Sequence, residues 1–159
     1  MNCNPIFTRY IQIADLLGSL FKNSLEVVVH DFRDLDHSII HIVNGGISGR
    51  KIGDGASELG IRRLLAKETI PDVLVNYENR NERGQKCKSG SLAIRDDDGK
   101  MIGAICLNFD VEPFTQFQRF LEFFVQSEMN PLVGQEDIRK TALSNKETIV
   151  SCSLYSIYV

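Results

Sequence analysis

Several things are missing from this 159-residue chain, and each absence narrows what it can do. No apolar run reaches the roughly 18 residues that a membrane span requires, and the N-terminus lacks the charged-then-apolar plan of a signal peptide. No membrane association is expected. There is no basic excess: 18 Lys and Arg stand against 21 Asp and Glu, for a net charge of −3. Phosphate neutralisation needs a basic surface, so this stretch is not expected to bind nucleic acid by itself, although a basic partner domain elsewhere stays open. The four cysteines (Cys3, Cys87, Cys106 and Cys152) show no CxxC spacing. They read as reduced thiols in a cytoplasmic protein. Neither an internal repeat nor a low-complexity segment interrupts the chain.

What is present centres on residues 86–112, KCKSGSLAIRDDDGKMIGAICLNFDVE. Two strand-like segments, 87–95 and 101–109, flank the polar turn 96–100, where Asp side chains and Gly99 suit a tight reversal. In the second segment Met101, Gly103, Ile105, Leu107 and Phe109 face one way, and Ile102, Ala104, Cys106 and Asn108 the other. Both sets are mostly apolar. An antiparallel strand wetted on one face would alternate, so this strand is expected at the centre of a sheet with cover on both sides. Asn108, beside small Cys106 and Ala104, marks where a pocket could open.

Ahead of it, residues 6–21 carry Ile6, Phe7, Tyr10, Ile13, Ala14, Leu17, Leu20 and Phe21 at helical spacing. That stripe suits either burial on the sheet or pairing with a second subunit. Residues 26–32 and 38–43 are short, β-branched strands of a hairpin. Residues 45–55 are glycine-rich and read as a loop. Ser57 can cap a helix running to 68, which Pro71 follows. A third strand at 72–78 and a polar loop at 79–85 lead into the central hairpin. Pro113 then opens a helix through 126, with Phe114, Phe117, Phe120, Leu121 and Phe124 on its apolar face. Residues 135–143 could form one short helix. The order gives an α+β fold: a five-stranded antiparallel sheet with flanking helices.

Little of this invites catalysis or metal binding. His37 and His41 have HxxxH spacing, but that spacing aligns ligands only in a helix, and here a turn enters a strand. In a regular strand, His41 would share a face with Ile39. His30 and Asp31 are strand neighbours and point to opposite faces. Cys87 and Cys106 lie in strands without an evident base, so a thiol enzyme using Cys106 is the weakest reading. NGGISGRKIGDG lacks both the Walker and the dinucleotide patterns. It reads as a turn-rich connection whose backbone N–H groups could also help hold a carboxylate near Ser57.

Two separated blocks, EVVVHDFRDLDHSIIHIVNGGISGRKIGD and KSGSLAIRDDDGKMIGAICLNFD, resemble the YheO-like PAS domain family. The resemblance rests on Val29-His30-Asp31, His37-Ser38-Ile39, Asn44-Gly45, Gly49-Arg50, Gly53-Asp54, Lys88-Ser89, the turn region 97–103 and Cys106-Leu107-Asn108-Phe109-Asp110. It implies a PAS-like sensor domain of a bacterial transcription regulator, placed ahead of a helix-turn-helix. On this reading residues 1–130 form the sensor, and 131–159 are a linker with the opening of a truncated DNA-binding domain. DNA would be contacted only through that missing C-terminal part. A light-sensing flavin would need an NCRFLQ-like helix and a haem an axial His near 57–68. Neither pattern is present, so no cofactor is expected.

The resemblance and the strand pattern together leave a pocket for a small polar metabolite, lined by Tyr77, Ser89, Ser91, Cys106 and Asn108. Arg50, beside Lys51, suggests an amino-acid-like ligand. Equally, Ser89 and Asn108 could simply satisfy buried backbone groups. The expected protein is a non-enzymatic, cytoplasmic, homodimeric ligand sensor. The alternative is a dimerisation or protein-interaction module with a filled core and no ligand.

Overall fold

The β-branched run of β1 (Leu25–Asp31) pairs on one side with β2 (Ile39–Val43) and on the other with β5 (Met101–Asp110). β5 pairs in turn with β4 (Lys86–Arg95), and β4 with β3 (Val73–Arg80), every pair antiparallel. The computed structural model describes residues 5–66, 70–81 and 84–127. The sheet order β2-β1-β5-β4-β3 puts β5 in the middle, as its two apolar faces require. The chain divides into two compact units, with the boundary between Gln118 and Arg119; the whole sheet lies in the first.

α1 (Pro5–Phe21) lies on β1 and β2 and seals one face. Phe7, Ala14, Leu25, Val27, Val29, Ile94, Ile102 and Ile105 form the buried core there. Two glycines permit this close packing. A Cβ on Gly18 would stand 2.3 Å from Val43 Cγ1, and one on Gly103 would stand 2.2 Å from the His30 carbonyl oxygen, so neither site admits a side chain without movement. At the end of α1, Asn44 Nδ2 donates to the carbonyls of Gly18 (2.9 Å) and Leu25 (2.7 Å). It satisfies a helix-end acceptor that would otherwise have no partner.

The stripe of α1 splits. Phe7 and Ala14 are buried, whereas Ile13, Leu16, Leu20 and Phe21 remain exposed. The apolar residues of α3 (Glu112–Val125) are exposed too, including Phe114, Phe117, Phe120, Leu121 and Phe124. Phe114 leans on Phe109, ring centroids 5.9 Å apart.

Several boundaries differ from the expectations. The second helix, α2 (Glu58–Leu65), stops before Ala66, which is already extended at φ −64° and ψ 123°, rather than running to 68. β3 continues to Arg80, taking two residues assigned to the following loop. Pairing with β4 sustains it where composition suggested a turn. The register slips between Val29 and His30, so Ile39 lies opposite His30 and His41 opposite Val29. That bulge puts Ile39 and His41 on opposite faces, against the simple alternation. The Ser57 cap is as expected, its hydroxyl accepting from the Gly60 amide at 3.2 Å. The Asp96 carboxylate closes the central turn by accepting from the amides of Asp98 and Lys100. The short helix at 135–143 and the segment 131–159 lie outside the described residues.

Candidate functional site

The face of the sheet away from α1 is chemically different. Strand parity delivers Glu26, Val28 and His30 from β1, Ser89 and Ser91 from β4, and Ala104, Cys106 and Asn108 from β5 to that side. Glu26 lies opposite Asn108, Val28 opposite Cys106 and His30 opposite Ala104. Ser89 and Ser91 lie opposite Asn108 and Cys106 on the other flank of β5. In β3 the register slips between Leu74 and Tyr77, and Asn76 adopts φ 61°, a conformation Asn tolerates better than most residues. This bulge turns Tyr77 onto the same face as Ser89.

Over this face, α2 and the loop before it leave a cavity of about 540 Å³. That volume is within the range of small-molecule sites. Of the residues expected at a pocket, Arg50, Tyr77, Ser91, Cys106 and Asn108 line it together. Ser89 does not. It is buried and donates to Asn108 Oδ1 at 2.7 Å.

That bond belongs to a chain of polar groups beneath the cavity. Asn108 Nδ2 donates to Glu26 Oε1 at 2.8 Å. Glu26 Oε2 accepts from the amide (3.0 Å) and hydroxyl (2.6 Å) of Ser48. The glycine-rich loop holds a carboxylate with a backbone N–H at Ser48 rather than near Ser57, and that carboxylate is the chain's own Glu26, fully buried in β1. A buried charge needs such donors to offset lost hydration.

Among the cavity residues not expected as site residues from the sequence are Arg63, His30 and Ser57. Arg63, on the inner side of α2, is only 7% exposed. Its Nη1 donates to Ser91 Oγ at 2.8 Å, and its Nη2 to the carbonyls of Pro71 (3.0 Å) and Asp72 (2.8 Å). Its Nε is buried without a hydrogen-bond partner. His30 pairs through Nδ1 with Ser38 Oγ at 2.9 Å. Burial, assisted by the positive charge of Arg50, pulls its pKa down to about 4, so the ring is neutral at pH 7. Ser57 reaches the cavity at the start of α2. The adjacent pair Arg62-Arg63 in α2 gave no sign that Arg63, rather than Arg62, would turn inward.

Burial pushes the Cys106 thiol up to about 11, despite the opposing charges of Arg63 and Arg50. It is therefore protonated, which removes the nucleophile that a thiol enzyme requires. The histidines do not assemble either. His41 Nε2 meets Asp15 at 2.8 Å, and His37 Nδ1 meets Asp34 at 3.2 Å. Among the described residues no group of three or more His, Cys, Asp or Glu is placed to hold a metal, and no helix is long and apolar enough to cross a membrane.

A central β5, a helix closing one sheet face and a ligand-sized cavity over the other define a PAS-type α+β domain. The chain belongs to the YheO-like PAS domain family, whose model matches residues 1–126. It is 36% identical over 114 residues to the uncharacterized protein YheO of Escherichia coli strain K12, a match covering 70% of this chain and 47% of that one. It is 29% identical over 134 residues to the transcriptional regulator DauR of Pseudomonas aeruginosa, covering 84% and 60% respectively. The chain thus spans about half the length of the curated relatives it matches. The dark structure of the blue-light photoreceptor Aureochrome1 LOV overlays with a TM-score of 0.42 and 13% identity, over 79% of this chain and 98% of that one. The chain is a non-catalytic, sensory or regulatory PAS domain related to a transcriptional regulator.

Proposed function

We propose that this domain binds a small polar, amino-acid-like metabolite between the sheet and α2, as the sensory part of a dimeric transcription regulator. Residues 1–130 would be the sensor, and DNA contact would come from a helix-turn-helix beyond it. The observation that carries this reading is the cavity of about 540 Å³ over the one sheet face that concentrates polar side chains. A core with no ligand to receive would gain more from apolar packing there. Arg50, Tyr77, Ser91, Cys106 and Asn108 would contact the ligand, with Ser89 fixing the Asn108 amide. The similarity to DauR supports the regulatory setting.

In the mechanism a ligand bridging α2 and the sheet favours one arrangement of the two, and a dimer shifts with it. A second reading, a dimerisation module, draws on the exposed row Ile13, Leu16 and Leu20 of α1. Native mass spectrometry of the purified chain, repeated under denaturing conditions, tests both. A dimer with excess mass that disappears on denaturation is the expected result. A dimer of bare chain mass favours the interaction module, and a bare monomer removes the dimeric relay.

A further inference from the structure

The charges around the cavity are not balanced locally. Two carboxylates and two arginines line it: Glu58, Glu78, Arg50 and Arg63. Each carboxylate already has a basic partner, Glu58 with Arg62 at 2.6 Å, and Glu78 with Arg80 at 2.9 Å and Lys86 at 3.1 Å. Neither arginine, among the described residues, forms an ion pair with a carboxylate. Among the described residues Arg63 donates only to a hydroxyl and two carbonyls, and Arg50 Nη2 only to the Gly55 carbonyl. A carbonyl or hydroxyl satisfies an N–H without neutralising the charge. Two cations therefore border one recess with no carboxylate in direct contact with either guanidinium, although Glu26 lies beneath the same face, and one of them is more than nine-tenths buried and keeps an unpartnered Nε. Both guanidinium charges act on the Cys106 thiol, and Arg50 acts on His30 as well. Their fields converge on the middle of the sheet face.

An uncompensated buried cation is costly, and its ordinary remedy is an anion brought in by hydrogen-bonding contact. We infer that Arg50 and Arg63 form the anchor for the carboxylate of a small organic acid bound in this cavity; this rests on the ligand-sensing reading above. The planar, permanently charged guanidinium suits a carboxylate's two oxygens. A phosphate dianion fits the surroundings less well, because Glu58 and Glu78 line the same recess and Glu58 occupies the first turn of α2, where a phosphate would benefit from free backbone N–H groups. Neutral His30 adds no third charge. It leaves an imidazole able to hydrogen-bond the uncharged part of the ligand.

The test is saturation-transfer NMR on the full chain with two matched probe sets, free amino acids and the same amino acids as C-terminal amides. Only the carboxylate charge differs. Expected is transfer to one or more free acids and none to the amides, with affinity reduced about tenfold or more in Arg50→Gln and Arg63→Gln. Arg63 also ties α2 to the sheet, so Arg50→Gln, checked for an unchanged melting temperature, keeps the test decisive if Arg63→Gln misfolds. Equal transfer to acids and amides overturns the arginine anchor and leaves the ligand-sensing reading standing. Unchanged acid binding in a folded Arg50→Gln protein also overturns the two-arginine anchor. If neither set binds, native mass spectrometry decides. A released organic acid supports the anchor, a released neutral or cationic compound overturns it, and a bare chain overturns both readings.

Discussion

The two faces of this sheet come from the same strands, yet they solve opposite problems. Against α1, Phe7, Val27, Val29, Ile94 and Ile105 exclude water, while Gly18 admits the Val43 side chain and Gly103 the His30 carbonyl. Against α2, one residue along each strand, the chain places Glu26, His30, Ser89, Ser91 and Asn108. Dispersion and hydrophobic burial hold the first face, and loss is graded by volume. The second depends on complete hydrogen-bonding: each group is stable only while its partner stays in place. Adjacent residues such as Val29 and His30 therefore belong to different physical regimes.

The largest separation of the two faces should come from Phe7→Ala. Phe7 is fully buried and also carries the Arg33 guanidinium 5.5 Å from its ring centroid. A loss of about 3–5 kcal/mol in urea unfolding is expected. The cavity face should remain competent for ligand wherever the variant is still folded. A loss below about 1 kcal/mol would mean that α1 is not the principal seal of the core.

Acid should strike the other face. The folded His30 pKa, about 4, lies below its ordinary 6.5, so at intermediate pH the unfolded chain binds the extra proton. Stability from this group is then complete above about pH 6.5 and is lost as pH falls toward 4, by about 3 kcal/mol in all. Urea midpoints measured from pH 7 to 4 should show the slope, and His30→Gln should flatten it while leaving the carboxylate contribution at lower pH. An unchanged slope in that variant would place the titration elsewhere.

The smallest effect sharpens the contrast between neighbours. Arg62 and Arg63 are adjacent on α2, but Arg62 makes an exposed i,i+4 pair with Glu58, whereas Arg63 bonds Ser91, Pro71 and Asp72. Arg62→Ala is expected to change stability by no more than about 0.5 kcal/mol. Thermal or chemical denaturation resolves this, and a cost above about 1 kcal/mol would show that exposure on α2 is less than its geometry indicates.

Much of the architecture was legible in residue patterns. The doubly apolar 101–109 segment could only be a covered central strand, the polar turn at 96–100 only a reversal, and Ser57 an N-cap. Five of six residues expected at the pocket meet at one cavity. Alternation puts Cys106 and Asn108 on one side of β5 and the β4–β5 register adds Ser91, whereas Tyr77 arrives through a bulge and Arg50 from a loop. Ser89 has the same parity but is spent on the Asn108 amide, a difference of distance rather than of pattern. Glu26 and Arg63 escaped because a charge in a strand or helix reads as solvent-facing, and burial of a charge is decided by partners far along the chain: Ser48 for Glu26, and Ser91 for Arg63. The bulge that separates Ile39 from His41 has no marker in composition either.

By itself, then, the sequence determined the elements and most of their faces, since periodicity and turn chemistry act over a few residues and need no distant partner, and the resemblance of two separated blocks pointed to the family. Only the tertiary structure decided which charges are buried, that two arginines without a carboxylate contact border the cavity, and that Cys106 stays protonated. Those outcomes depend on dielectric surroundings and hydrogen-bond partners, which exist only when residues 8 to 82 positions apart are brought into contact.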